Sequence, residues 1–115
     1  MNPGRYNLAV YKGTTFALSP VWKIGGVPVN LSGYTADMQV RYATDTSIIV
    51  ELSTANGRIT IDAADGRINL NLTASQTAAL AAGTYQYDLN LTNTNDSTVY
   101  KILQGVFIVN ASVTQ

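Results

Sequence analysis

The chain has 115 residues, 46% of them hydrophobic and 12% charged, with seven basic residues balancing seven acidic ones and neither cysteine nor histidine. That length suits one domain over residues 1–115 with a single core, and the missing residue types exclude disulfides, thiolate metal sites and imidazole catalysis. Arg5, Lys12, Lys23, Arg41, Arg58, Arg67 and Lys101 are scattered, so no basic field draws nucleic acid or an anionic membrane.

The chain opens with "MNPGRYNLAVYKG". A charged segment followed by an apolar run is lacking there, and no stretch approaches the roughly 20 apolar residues of a spanning helix. Neither a signal peptide nor a membrane anchor is expected. Most of the chain alternates between apolar and polar residues. "YNLAVY" (6–11) and "TTFALSPVWKI" (14–24) read as strands, and Gly25-Gly26 turns the chain into "VPVNL" (27–31). Pro20 and Pro28 cannot donate to a ladder, which places these pieces at sheet edges or strand ends. "TADMQVRYA" (35–43) sets Ala36, Met38, Val40 and Tyr42 against Asp37, Gln39 and Arg41. "SIIVELS" (47–53) predicts a more buried strand. Asn56-Gly57 and Asp65-Gly66 are hairpin signals flanking "RITID" and preceding "RINLNL".

"TASQTAALAAG" (73–83) is the one helix-like piece, of one or two turns, capped by Thr73 or Ser75 and stopped by Gly83. "GTYQYDLNLT" (83–92) is the cleanest alternation in the chain, with Tyr85, Tyr87, Leu89 and Leu91 on one side. The polar loop "NTND" (93–96) leads to two closing strands, "STVYKILQG" (97–105) and "VFIVNASVT" (106–114). Seven to nine short strands with regular turns predict an all-β, immunoglobulin-like antiparallel sandwich.

Leu80, Gly83 and Tyr85 stand in an L-x-x-G-x-Y arrangement just after the helical turn. The pattern resembles the tyrosine corner of immunoglobulin-like domains, in which a hydroxyl fastens the connection before strand F. Tyr85 is the candidate for that role, with Tyr87 and Leu89 continuing into the core and Trp22 as their expected neighbour. The alternative is a tyrosine pair offered to a sugar or partner; alternation on the apolar face favours the structural role.

Little else points to chemistry. The acids are Asp37, Asp45, Glu51, Asp62, Asp65, Asp88 and Asp96, and no pair carries the signature of a hydrolase. "DAADG" (62–66) lacks the spacing, glycine and closing Glu of an EF-hand loop, and a turn explains it. No catalytic residue, metal or cofactor is expected. Arg41 and Asp88 are charges on the polar faces of well-formed strands. They are candidates for a cross-strand pair, either a plain exposed one or part of a sheet face that docks another subunit. Five N-x-S/T triplets begin at Asn30, Asn71, Asn90, Asn95 and Asn110, and without a signal peptide they are no evidence of glycosylation.

Three stretches in order resemble one family. "GGVPVNLSGYTADMQVR" (25–41), "GRITID…DGRINLNLTASQTAALAAGTYQYDLNLT" (57–92) and "YKILQGVFIVNASVT" (100–114) are similar to the small immunoglobulin-like sandwich of bacteriophage virion proteins. That family includes tail-fibre collar proteins and the amino-terminal domain of baseplate upper proteins. The likeness spans about residues 14–114. It implies a virion subunit, assembled in the host cytoplasm, acting as a tail or neck adaptor or collar. Its partners would be tail, neck or fibre proteins, and it would repeat as a homo-oligomeric ring. "MNPGR" and "NASVTQ" are the segments expected to order on a partner. The alternatives are a capsid decoration or head-fibre protein, and a carbohydrate-binding module using exposed aromatics, for which Tyr34, Tyr42 and Tyr100 are the candidates.

Overall fold

In a computed structural model, which describes residues 4–42 and 47–111, the alternating segments become the walls of a β-sandwich. The chain enters through β1 (Gly4–Arg5) and β2 (Leu8–Tyr11), then runs through β3 (Phe16–Leu18) and the small hairpin β4 (Lys23–Ile24) and β5 (Val27–Pro28). β6 (Tyr34–Arg41), β7 (Ile48–Ser53), β8 (Ile59–Asp62) and β9 (Arg67–Leu72) come next. The short helix α1 (Ala74–Ala78) leads into the two long strands β10 (Gly83–Asn93) and β11 (Val99–Asn110).

The larger sheet has the order β1-β11-β10-β6-β7, with β2 continuing β1 along the same side of β11; the smaller has the order β3-β9-β8. In immunoglobulin terms, β3, β9 and β8 are B, E and D, while β6, β10 and β11 are C, F and G with β7 as C′. The arrangement is therefore immunoglobulin-like. It is not wholly antiparallel, because β1 and β2 lie parallel to β11.

The two inner faces meet in one core. Met38, Val40, Leu52, Leu89, Leu91 and Phe107 project from the larger sheet and Ile59, Ile68, Leu70 and Leu72 from the smaller. Phe16 meets Phe107 edge-on across the gap, with ring centroids 5.8 Å apart. This packing is the main source of stability, at roughly 1.5–3 kcal/mol for each large apolar side chain removed from water.

Several expectations change in three dimensions. Residues 14–24 do not form one strand: Pro20 ends β3, Val21 makes a single bridge to Arg67, and Lys23–Ile24 turns away as β4. Residues 47–53 are not a buried strand. β7 is the edge of its sheet, and only Leu52 is fully buried. Asn56-Gly57 does not close a hairpin, since β7 and β8 belong to different sheets and the turn carries the chain between them. Asp65-Gly66 does join paired strands, through a 3-10 turn (Ala63–Asp65) in which Gly66 has φ 64° and Asp65 keeps a negative φ. α1 has a capping box between Thr73 and Gln76 and is over by Ala79, so Gly83 opens β10 instead of stopping the helix. Gly105 does not divide two closing strands but lies inside β11. The terminal segments expected to order on a partner lie outside the described residues, apart from Gly4, Arg5, Asn110 and Ala111.

Candidate functional site

Sheet register decides which polar side chains share the outer face of the larger sheet. One row across it reads Arg5, Gln104, Asp88, Gln39 and Glu51. Arg41 stands in the neighbouring row, opposite Gln86. Arg41 and Asp88 are therefore diagonal, and they do not pair as expected. Asp88 instead lies 3.5 Å from the Lys101 ammonium on β11, while the Arg41 guanidinium donates to the Gln39 carboxamide. The Lys101 side chain is 45% exposed, which keeps the ion pair below about 1 kcal/mol. The other Asp88 oxygen, Oδ1, is buried with no hydrogen-bond partner.

Together these side chains edge a shallow hollow of about 330 Å³, lined by Arg5, Arg41, Lys101, Gln39, Gln86 and Gln104 among others. Beside it, burial and then the charges of Glu51 and Asp88 push the Asp37 carboxyl above its ordinary value, against an opposing pull from Arg41. The face offers hydrogen-bond donors, acceptors and charges of both signs. Among the described residues no Ser, Thr or Cys lines the hollow, and no three acids are grouped to hold a metal ion.

The three candidate aromatics do not make a platform. Tyr34 and Tyr100 are half-buried, not exposed, and close around Trp22 with ring centroids 6.2 and 5.4 Å from its own. The start of β6 and the start of β11 meet there, so the rings satisfy one another. Tyr42, 47% exposed, lies at the far end of β6 against Tyr85, at 5.2 Å. Trp22 thus packs with Tyr34 and Tyr100, and the aromatic neighbour of Tyr87 is Phe107.

The tyrosines of β10 are fasteners. The Tyr85 hydroxyl donates to the Ala81 carbonyl at 2.6 Å, tying the start of the strand to the turn that precedes it. Leu80 is buried under that turn, and a Cβ at Gly83 would lie 3.5 Å from the same hydroxyl. Tyr87 is opposite Gly105 on β11, and its hydroxyl crosses that strand to donate to the Tyr6 carbonyl. Burial, with the nearby Tyr6 phenol, pushes the Tyr87 hydroxyl up to about 12. Asn7 assists by accepting the Val106 N–H through its side chain, at 3.1 Å.

Three positions whose contacts the sequence does not reveal also shape the surface. Thr77, fully buried, accepts the Gly13 N–H at 3.1 Å and donates to the Thr14 carbonyl at 2.7 Å, which pins the β2–β3 turn to α1. Asn56 folds back on β7: its Oδ1 accepts the Ser53 N–H and its Nδ2 donates to the Glu51 carbonyl, both at 3.0 Å. Arg58 adds a second donor to that carbonyl at 2.9 Å. With the register shift between Val40 and Arg41 beside Ile49, these contacts close the β7 edge to an incoming strand. Asn56 does carry a sequence signal, but it reads as a turn residue and not as a side chain standing in for a strand.

No protein-family model matches this chain, and no curated protein is significantly similar to it.

Proposed function

We propose that this chain is a structural subunit of a bacteriophage particle, a tail or neck adaptor or collar protein that joins fibres or spikes to the virion by protein–protein contacts. The observation that carries the reading is the ordered resemblance of three stretches, which fall on β5 and β6, on β8 through β10 and on β11 of an immunoglobulin-like sandwich. The surface chemistry supports it. The polar face is spread over five strands and presents hydrogen-bonding groups, and among the described residues no nucleophile is set beside a base, as suits docking more than turnover. Its partners are other virion proteins, and repetition around the particle multiplies contacts that are weak singly. The carbohydrate-binding alternative loses two of its three aromatics, because Tyr34 and Tyr100 are engaged with Trp22.

The test is antibody labelling of intact particles from the source, read by electron microscopy. Label at the neck, tail or tail tip is expected. Label spread over the capsid replaces the adaptor with a decoration protein, and particles without label overturn the virion assignment.

A further inference from the structure

We propose that this chain forms a two-fold dimer by antiparallel pairing of β2 with the β2 of a second copy, centred on Ala9. The dimer rests on the assembly role proposed for the chain and is the unit that repeats in it.

The larger sheet has two edges, and they are treated differently. At β7 the outward groups of Glu51 and Ser53 are occupied by Asn56 and Arg58. At the other edge, among the described residues, β2 pairs only with β11, while the adjacent strand in space, β3, pairs only with β9. Tyr6 donates its N–H to Gln104 at 3.0 Å and Lys12 donates to Asn110 at 2.9 Å. The register between β2 and β11 is constant, so Leu8 and Val10 also face β11. The backbone groups of Asn7, Ala9 and Tyr11 then point outward, where the sheet has no further strand. The free stretch stops at the Tyr11 carbonyl, which accepts from the Thr14 N–H and hydroxyl at 3.2 and 2.7 Å.

Apart from the shortness of β2, four residues, the usual protections of a sheet edge are missing here. No charge, proline or bulge interrupts Leu8–Tyr11, although proteins normally guard such edges. Beside it a cleft of about 310 Å³ separates β2 from β3, and every residue lining it, from Tyr6 to Tyr11 and from Thr14 to Leu18, is uncharged. An extended uncharged strand fits that slot and supplies the missing donors and acceptors.

The second copy is the occupant because the stretch is complementary to itself. In an antiparallel ladder, directly opposed residues of a hydrogen-bonded pair exchange both N–H···O bonds. A two-fold axis at Ala9 opposes Ala9 to its own copy, where both bonds are exchanged, and Asn7 to Tyr11 on either side, where the Tyr11 N–H donates to the Asn7 carbonyl and the occupied Tyr11 carbonyl takes no part. The smallest exposed side chain of the strand then sits on the axis, where it meets its own copy without a clash, and Tyr6 and Tyr11, 52% and 54% exposed, gain cover. One symmetric contact uses the open edge of both copies, so the assembly is closed.

The experiment uses the full chain, purified, in sedimentation velocity over a concentration series, with Ala9→Cys as a cross-linking readout. The weight-average mass is expected to rise from the 12.3 kDa monomer towards twice that value. The opposed Cα atoms of such a pair are about 5.5 Å apart, within disulfide range. In a chain with no other cysteine, mild oxidation of the Ala9→Cys variant therefore gives a covalent dimer, and Ala17→Cys does not. Ala9→Pro removes only an outward N–H and is expected to abolish the dimer while the melting curve holds; Ala9→Lys does the same by setting like charges together. A wild-type chain that stays monomeric, a dimer undiminished in both variants, or equal cross-linking at both cysteine positions overturns the proposal. Particle labelling is a separate observation, so a monomer in solution leaves the virion assignment standing.

Discussion

Replacing Gly105 by Ala tests the account of how the amino-terminal strand is held. A Cβ at this position would lie 2.4 Å from the Tyr6 carbonyl oxygen and 2.9 Å from its carbon, with the Asn7 Oδ1 at 3.1 Å. Two of these atoms belong to backbone, so no side-chain rotation relieves the contact, and the strand itself must move away from β11. Overpacking of this kind costs about 1–3 kcal/mol. The displaced Tyr6 carbonyl also leaves the Tyr87 hydroxyl, which adds about 1 kcal/mol for a hydrogen bond lost. The expected loss is therefore about 2–4 kcal/mol in urea denaturation, with faster amide exchange along β1 and β2. Gly83→Ala is the control: its Cβ meets nothing closer than 3.5 Å, and a change within about 0.5 kcal/mol is expected. Combining Gly105→Ala with Tyr87→Phe should cost less than the two separate losses, because both act on the Tyr6 carbonyl. A Gly105→Ala protein as stable as wild type would refute the reasoning, as would a loss that left exchange in β1 and β2 unchanged.

Tyr85→Phe removes the donor to the Ala81 carbonyl and should destabilise the fold by about 0.5–1.5 kcal/mol, read from the urea midpoint at constant slope. Asn56→Ala frees Ser53 N–H and Glu51 C=O at a solvated edge, and should cost about 1 kcal/mol with faster exchange at Ser53 by NMR. Burial and like charges raise the Asp37 pKa above the unfolded value, so the folded state holds the proton more tightly and stability falls as pH rises through that window. Asp37→Asn should consequently melt higher than wild type at neutral pH, with the difference vanishing in acid below the unfolded carboxylate pKa. Equal melting temperatures for the two proteins at pH 7 would count against that electrostatic account.

Composition and period-two patterning suffice for the all-β class and for the inward face of β10, and the local residue types narrow the helix cap to Thr73 or Ser75, of which the structure uses Thr73. Those properties reside in neighbours one to four residues apart, where side-chain chemistry acts directly on the local backbone. The helix end is not legible in the same way, because Gly83 serves a strand, and Asn56-Gly57 misleads because a turn signal does not say which sheet the chain enters next. Edge status is equally invisible locally: "SIIVELS" is apolar enough for a buried strand, yet among the described residues β7 pairs with β6 alone. The partners of Asp88 depend on register between strands distant in sequence, and a two-residue offset exchanges Arg41 for Gln39. The sequence by itself thus determined which segments extend and which faces are apolar. Only the tertiary structure decided which strands became neighbours, because pairing is set by closing long loops around a shared core. That choice brought Tyr87 over Gly105, turned Tyr34 and Tyr100 onto Trp22, and left β2 as the open edge.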